Sequence, residues 1–269
     1  MNEKYQNLKD IIANYESVAV AFSGGVDSTL LAKAAKDALG DKAIAVTVVS
    51  PSIPKRELRE ASELAEEIGI THLLVKGNEL ENPDYAENSP NRCYICKSIV
   101  FDSIISAAKN LGITTIAEGS NVDDVSDYRP GRKAIQELNI KSPLLEAGLT
   151  KDDIRQISKW LHLPTWNKQS YACLASRFPY GNPITQEKLT MVDKAEQFLL
   201  DKGFHQVRVR IHNNLARIEV SPHEMDKLYE LSKDLSFATF FHEIGFNYIT
   251  LDLEGYRTGS LNADLIASQ

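Results

Sequence analysis

From Ser17 to Leu161 the chain alternates short apolar runs with longer segments of helical periodicity, and this alternation restricts the fold more than any other feature. Ser17–Phe22 is an apolar run of strand length that ends at a Gly-rich turn. Ser28–Leu39 then carries Leu31, Ala35 and Ala38 at helical spacing, and Ala43–Val49 is a strand rich in β-branched residues. Pro54–Ile68 places Leu58, Ala61, Leu64, Ala65 and Ile68 on one helical face, with Gly69 as its stop. His72–Val75, Lys97–Leu111, Ile113–Ala117 and Thr150–Leu161 continue as strand, helix, strand and helix, the last opened by the capping-box pair Thr150 and Asp153. The expected fold class is α/β: a parallel sheet with helices on both faces, with ligands bound at the carboxyl ends of its strands.

Near Tyr180-Gly181-Asn182-Pro183 the order of signals changes. Thr185–Lys202 reads as a helix, and His205–His212 and Leu215–Val220 as two strands joined by the turn pair Asn213-Asn214. Pro222–Ser232 follows as a helix and Phe246–Leu253 as a last strand. This predicts a first domain over residues 1–180 and a smaller α+β domain over 181–269. The net charge of −7 is spread over both, so neither has the basic footprint of a nucleic-acid binder, and no nucleic-acid partner is expected. No apolar run reaches the length of a membrane span, and the first ten residues lack the apolar core of a secretory signal. The expected location is the cytoplasm, with no membrane partner.

The strongest motif is Ser23-Gly24-Gly25-Val26-Asp27-Ser28, placed directly after a strand and directly before a helix. Glycines let backbone N–H groups approach phosphate oxygens closely, and a helix N-terminus adds partial positive charge. Ser23 and Ser28 can donate hydroxyl hydrogen bonds. Asp27 would repel phosphate unless a cation mediates, which points to Mg²⁺ beside a pyrophosphate. The spacing is neither that of a Walker loop nor that of a dinucleotide fingerprint. It resembles the PP-loop of ATP pyrophosphatases, Ser-Gly-Gly-x-Asp-Ser, which implies an adenine nucleotide alpha hydrolase-like (HUP) domain that cleaves ATP between its α and β phosphates. Ser50, just past the Ala43–Val49 strand, joins the candidate nucleotide-binding residues.

There are three cysteines, an odd number that argues against a disulfide framework. Cys93-Tyr-Ile-Cys96 puts two thiols one turn apart at the start of a helix, where the dipole favours thiolates. Cys173 is remote in sequence. On the residues alone three uses compete: a 4Fe–4S cluster with three protein ligands and one open iron, tetrahedral zinc with a fourth ligand, or thiol–disulfide exchange. Buried, inert cysteines are the plain alternative.

Further segments make the resemblance specific. Trp166-Asn167-Lys168, Cys173, Ser176-Arg177-Phe178-Pro179-Tyr180-Gly181, Asp127-Tyr128-Arg129-Pro130-Gly131, Val207-Arg208-Val209-Arg210, Ala216-Arg217-Ile218-Glu219 and the stretch from Leu251 to Gly259 are similar to the signature of LarE-type sulfur transferases. These PP-loop enzymes act in the biosynthesis of the nickel-pincer nucleotide cofactor of lactate racemase. The resemblance implies ATP-dependent adenylation of the carboxylates of pyridinium-3,5-biscarboxylic acid mononucleotide, then their conversion to thiocarboxylates. One branch sacrifices the sulfur of the cysteine matching Cys173 and lacks the Cys-x-x-Cys pair. This chain has the pair and so resembles the cluster-dependent branch, in which Cys93, Cys96 and Cys173 would hold a 4Fe–4S centre that delivers sulfide. The resemblance also implies a homo-oligomer, with a hexamer as one candidate size, and a separate sulfide source.

Arg208, Arg210 and Arg257 are the candidates for the substrate phosphate, since guanidinium forks suit phosphate and side chains two apart on a strand share a face. Arg177 is a candidate for stabilising the departing AMP or for anchoring its loop. Asp124 and Asp127 are candidates for the nucleotide or Mg²⁺. Cys173, Asp27 and Arg177 form the expected catalytic set. A tRNA-thiolating PP-loop enzyme is the main alternative, although such enzymes usually carry zinc ribbons or a basic RNA module, and this chain has neither.

Overall fold

The computed structural model describes residues 2–125, 131–169 and 172–257. Its elements begin with α1 (Asn2–Ala13), β1 (Val18–Ala21), α2 (Val26–Leu39), β2 (Ala43–Val49), α3 (Lys55–Ile68) and β3 (Thr71–Lys76). They continue with α4 (Pro83–Ala86), α5 (Arg92–Asn110), β4 (Ile116–Ala117), α6 (Gly131–Glu137), α7 (Pro143–Glu146) and α8 (Lys151–Trp160). The chain ends with α9 (Gln186–Asp201), β5 (Val207–His212), β6 (Leu215–Val220), α10 (Met225–Ser232), α11 (Leu235–Glu243) and β7 (Tyr248–Leu251). Contacts divide it into two compact units, Met1–Glu79 with Asn91–Tyr171, and Leu80–Pro90 with Ala172–Gln269.

The first unit is the expected parallel α/β sheet, in the order β3-β2-β1-β4. Its strands carry apolar side chains on both faces, as a sheet covered on both sides requires. Val18 and Val20 of β1, with Ala43 and Ala45 of β2, join a core built with α1, α2 and α8. Ala19, Ile44, Val46 and Val48 point the other way, onto Phe101, Ile104 and Ala108 of α5. The strand order runs outward from β1 through β2 to β3 and then returns to β4 on the far side of β1. This reversal puts the topological switch point at the carboxyl ends of β1 and β4, the place where open α/β sheets bind ligands. The Ser23–Ser28 turn lies there.

The second unit contains a three-stranded sheet, β5-β6-β7. β5 and β6 form the expected hairpin, with Asn213 at φ +56° in its turn, and β7 runs parallel to β6 after a crossover through α10 and α11. Helix α9 buries Leu189, Val192, Ala195 and Leu199, and β5 contributes Val207, Val209 and Ile211 to the interior. A ring cluster of Phe198, Phe237, Phe240, Phe241 and Phe246 ties α9 to α11; Phe198 and Phe240 stack at 4.3 Å. Among the described residues no helix is long and apolar enough to cross a membrane.

Candidate active site

The Gly-rich turn has the backbone its composition requires. Gly24 sits at φ +69°, and a Cβ there would also come within 3.2 Å of Ala61, so a side chain is disfavoured twice. Gly25 is the N-cap of α2 and offers no capping side chain, so the first N–H groups of the helix are left for an anion. The Ser23 and Ser28 hydroxyls lie 3.1 Å apart across the turn. Ser28 Oγ donates to the Gly25 carbonyl at 3.2 Å, and the Gly25 N–H donates to Ser23 Oγ at 3.4 Å. Behind the turn, Thr47 Oγ1 donates to the Phe22 carbonyl at 2.6 Å and also meets His72 Nε2 at 2.8 Å. Burial holds the His72 imidazole below its ordinary pKa.

Asp27, in the first turn of α2, is the hub of a polar cluster. Lys151 Nζ donates to Asp27 Oδ2 at 2.5 Å, and Asn121 Nδ2 donates to Asp27 Oδ1 at 3.2 Å. Asn121 in turn takes Asp124 Oδ2 on its backbone N–H at 3.0 Å. The fold therefore joins Asp27 and Asp124 through Asn121, although they are far apart in sequence. Asp123 Oδ2 accepts from the Lys151 N–H at 2.7 Å and ties the same loop to α8. The approach is close because Gly119 lies against α2: a Cβ on it would be 3.1 Å from Asp27 Cβ. Partly exposed carboxylates with an amide oxygen nearby are a donor set suited to Mg²⁺. Asp127 lies outside the described residues.

Lys168 is marked in the sequence only as part of the Trp166-Asn167-Lys168 motif. Its ammonium contacts Glu57 at 2.8 Å and Glu60 at 2.7 Å, and donates to the Gly24 carbonyl at 3.2 Å. Burial lowers its pKa, but hydrogen bonds to Glu57 and Glu60 outweigh that and hold it above the ordinary lysine value. Ser50 Oγ pairs with Ser52 Oγ at 2.7 Å, and Ser52 Oγ donates to the buried Glu79 carboxylate at 3.1 Å. Lys151 and Asn121 carry no local sequence signal of their own, and Lys168 only its place in a motif; the folding-back of α8, the segment after it and the β4 loop brings them to the turn.

Cys93 and Cys96 occupy the first turns of α5, one exposed and the other half-buried, and their i, i+3 spacing puts them on one face. The Arg92 guanidinium lies 4.0 Å from Cys93 Sγ. Cys173 is exposed and belongs to the second unit. None of the three is in a disulfide. Among the described residues no three His, Cys, Asp or Glu side chains are gathered as a metal-binding group.

In the second unit the turn at Leu174–Arg177 is anchored from below. Arg177, with no exposed surface, donates from Nε and Nη2 to both oxygens of the equally buried Glu196, at 2.8 and 2.9 Å. Its Nη1 holds the carbonyls of Ala172 and Cys173 at 2.8 and 3.0 Å. Burial opposes both charges, yet the pairing wins: Arg177 is pushed above its ordinary pKa and Glu196 below. Glu196 also accepts the Val209 N–H at 3.0 Å, joining the turn to β5. On the same side of β5, Arg210 pairs with Glu219 at 2.5 Å and donates to the Ser176 carbonyl at 3.0 Å. Arg208 lies over the Tyr256 ring, 5.1 Å from its centroid. Arg257 is half-exposed and pairs with Glu254. The structure thus brings Arg177, Arg208, Arg210 and the Cys173 backbone into one scaffold around β5.

An uncapped helix behind paired glycines, at the switch point of a parallel sheet and with a carboxylate in its first turn, defines an ATP-dependent enzyme of the PP-loop class. Residues 1–84 match the NAD synthase family. The chain is 46% identical over 265 residues to an uncharacterized protein of Synechocystis sp., covering 97% of this chain and 98% of that one. It is 36% identical over 263 residues to the pyridinium-3,5-bisthiocarboxylic acid mononucleotide synthase of Lactiplantibacillus plantarum, covering 97% and 93%. It is also 27% identical over 229 residues to the glutamine-hydrolyzing GMP synthase of Chlamydia caviae, covering 73% of this chain but 42% of that one. The chain belongs to the LarE-type family of the Lactiplantibacillus synthase.

Proposed function

We propose that this enzyme adenylates the carboxylates of pyridinium-3,5-biscarboxylic acid mononucleotide and converts them to thiocarboxylates for the nickel-pincer nucleotide. The observation that carries this reading is the 36% identity to a named bisthiocarboxylic acid mononucleotide synthase over nearly the full length of both chains. In the first step a substrate carboxylate oxygen attacks the α-phosphorus of ATP and pyrophosphate leaves. The N–H groups at the start of α2 and the Ser23 and Ser28 hydroxyls bind the leaving pyrophosphate. Mg²⁺, held by Asp27 with help from Asp124, would offset its charge. In the second step a sulfide attacks the acyl carbon, a C–S bond forms, and AMP departs with the carboxylate oxygen.

Arg208, Arg210 and Arg257 are assigned to the mononucleotide phosphate, for which their planar forks are suited. Arg177 is assigned a positioning role: it holds the backbone at Cys173 rather than the reacting atoms. Cys93, Cys96 and Cys173 would hold a 4Fe–4S cluster that supplies the sulfide. The donor chemistry suits a cluster, since none of the three is in a disulfide and solvent reaches each of them. The enzyme would work in the cytoplasm as a homo-oligomer fed by an external sulfur donor.

The test is to incubate the anaerobically purified protein with Mg-ATP and the biscarboxylic mononucleotide. AMP, pyrophosphate and a mass gain of sulfur for oxygen are expected; ADP as the nucleotide product rejects the reaction. Iron and acid-labile sulfide analysis of the same sample tests the cluster, which little or no iron would exclude.

A further inference from the structure

The Gly24–Gly25 peptide is flanked by two residues without Cβ atoms, so its rotation is cheap, and its orientation decides what the turn offers a phosphate. A trans peptide points its C=O and N–H in opposite directions. With the Gly24 carbonyl turned outward, the Gly25 N–H faces Ser23 Oγ and the interior of the turn. Rotated the other way, the carbonyl oxygen would enter the place meant for an anion and repel it. One side chain holds the carbonyl outward: Lys168 Nζ donates to Gly24 O at 3.2 Å.

We infer that Lys168 is a positioning residue of the nucleotide site, a latch that keeps the Gly24 carbonyl out of the anion pocket and the turn in its ATP-binding form. Three observations support it. The ammonium is aimed by two carboxylates, Glu57 and Glu60, and its side chain is 14% exposed, so it has little freedom to leave. Its own backbone is fixed, because Arg155 of α8 donates to the Trp166 carbonyl at 2.9 Å and to the Lys168 carbonyl at 3.0 Å. And α3, which supplies Glu57 and Glu60, is the helix whose Ala61 lies against Gly24, so holder, latch and turn form one packed group. Glu57 and Glu60 balance the ammonium locally. Its contribution is therefore orientation of the peptide rather than attraction of ATP as a free cation.

This inference rests on the reading that the turn binds ATP. A latch changes the fraction of molecules in the binding form, so its loss lowers apparent affinity, and saturating ATP restores the working conformer. The experiment measures Mg-ATP affinity of the full chain by calorimetry, with AMP and pyrophosphate release in parallel. Lys168→Met should weaken ATP about tenfold and raise KM for ATP in step, with the rate recovered at saturating ATP. Lys168→Arg, which keeps a charged donor, should recover most of the affinity. Affinity within about twofold of wild type in Lys168→Met, or a loss confined to kcat, overturns the latch. Should Lys168→Met fail to fold, Glu60→Gln, at the half-exposed end of the network, takes its place: it should weaken ATP measurably, and unchanged affinity again overturns the proposal. If ATP affinity follows Lys168 but wild type releases no pyrophosphate, the proposed reaction falls and the latch stands. Pyrophosphate release with flat affinity across the variants gives the reverse.

Discussion

At the scale of single residues, the most consequential pair is Arg177 with Glu196, and only half of it was legible. Arg177 stands inside a motif, whereas Glu196 is one acid among several on α9, and nothing local marks it as the one that turns inward. Its partner is 19 residues away, and both are sealed from solvent. Removing one member of such a pair strands the other charge, at a cost of about 3–5 kcal/mol. Arg177→Met should therefore lower the urea midpoint sharply, while Glu196→Gln, which keeps shape and one acceptor, should cost less. The pH dependence has a definite sign. Glu196 is held below its ordinary pKa because Arg177 outweighs burial, so its contribution is present above the ordinary carboxylate range and is lost as pH falls through its lowered folded value. Wild type should lose stability on acidification more steeply than Glu196→Gln. Parallel acid titrations of the two would count against this account of the pair.

At the scale of elements, what could be read from the sequence was what periodicity writes locally. Helices α2, α3 and α8 and strands β2, β5 and β6 fall where their spacing predicted, and the Thr150–Asp153 box forms with both of its bonds. Strands β4 and β7 are shorter than their apolar runs. Helix α11 (Leu235–Glu243) has no counterpart in the sequence reading, although Phe237 and Phe241 form its buried face and Ser236, Thr239, His242 and Glu243 its exposed one. Helix α1 has no counterpart in the sequence reading either, although Tyr5, Leu8 and Ile12 lie on one buried face. The capping box bears on function, because Lys151 is the first residue of α8 and its ammonium holds Asp27. Thr150→Ala should cost about 1 kcal/mol of stability through the lost cap. It should also raise KM for ATP, by loosening the turn that aims Lys151, while Thr150→Ser restores both. A stability loss with an unchanged KM would show that the cap serves the helix alone.

At the scale of the whole molecule, the proposed reaction assigns its two co-substrates to two candidate sites, the nucleotide to the first unit and the substrate phosphate to the second. The polar residues of the nucleotide site come from four segments of the first unit: residues 22–29, 50–60, 118–124 and 150–168. No single stretch of sequence contains the site, which is why the glycine turn was legible and its supporting shell was not. The same holds in the second unit. Ile184 and Gly181 donate backbone bonds to Ala86 and Asn88, joining Leu80–Pro90 to the second unit by a pairing without any periodic mark. Ligands should reveal this organisation in hydrogen exchange. A ligand at about a hundred times its Kd adds about 2.7 kcal/mol to the state that binds it, enough to slow by up to about a hundredfold those amides that exchange through opening of that state. Mg-ATP should protect 22–29, 118–124 and 150–153, the backbone around its phosphates. A mononucleotide phosphate without ATP should instead protect 207–212 and 172–178, because Arg210 and the Arg177–Glu196 pair tie strand and turn into one scaffold. Protection of the arginine strand by Mg-ATP alone, with 22–29 left exchanging freely, would move the nucleotide to the second unit and overturn the assignment of both sites.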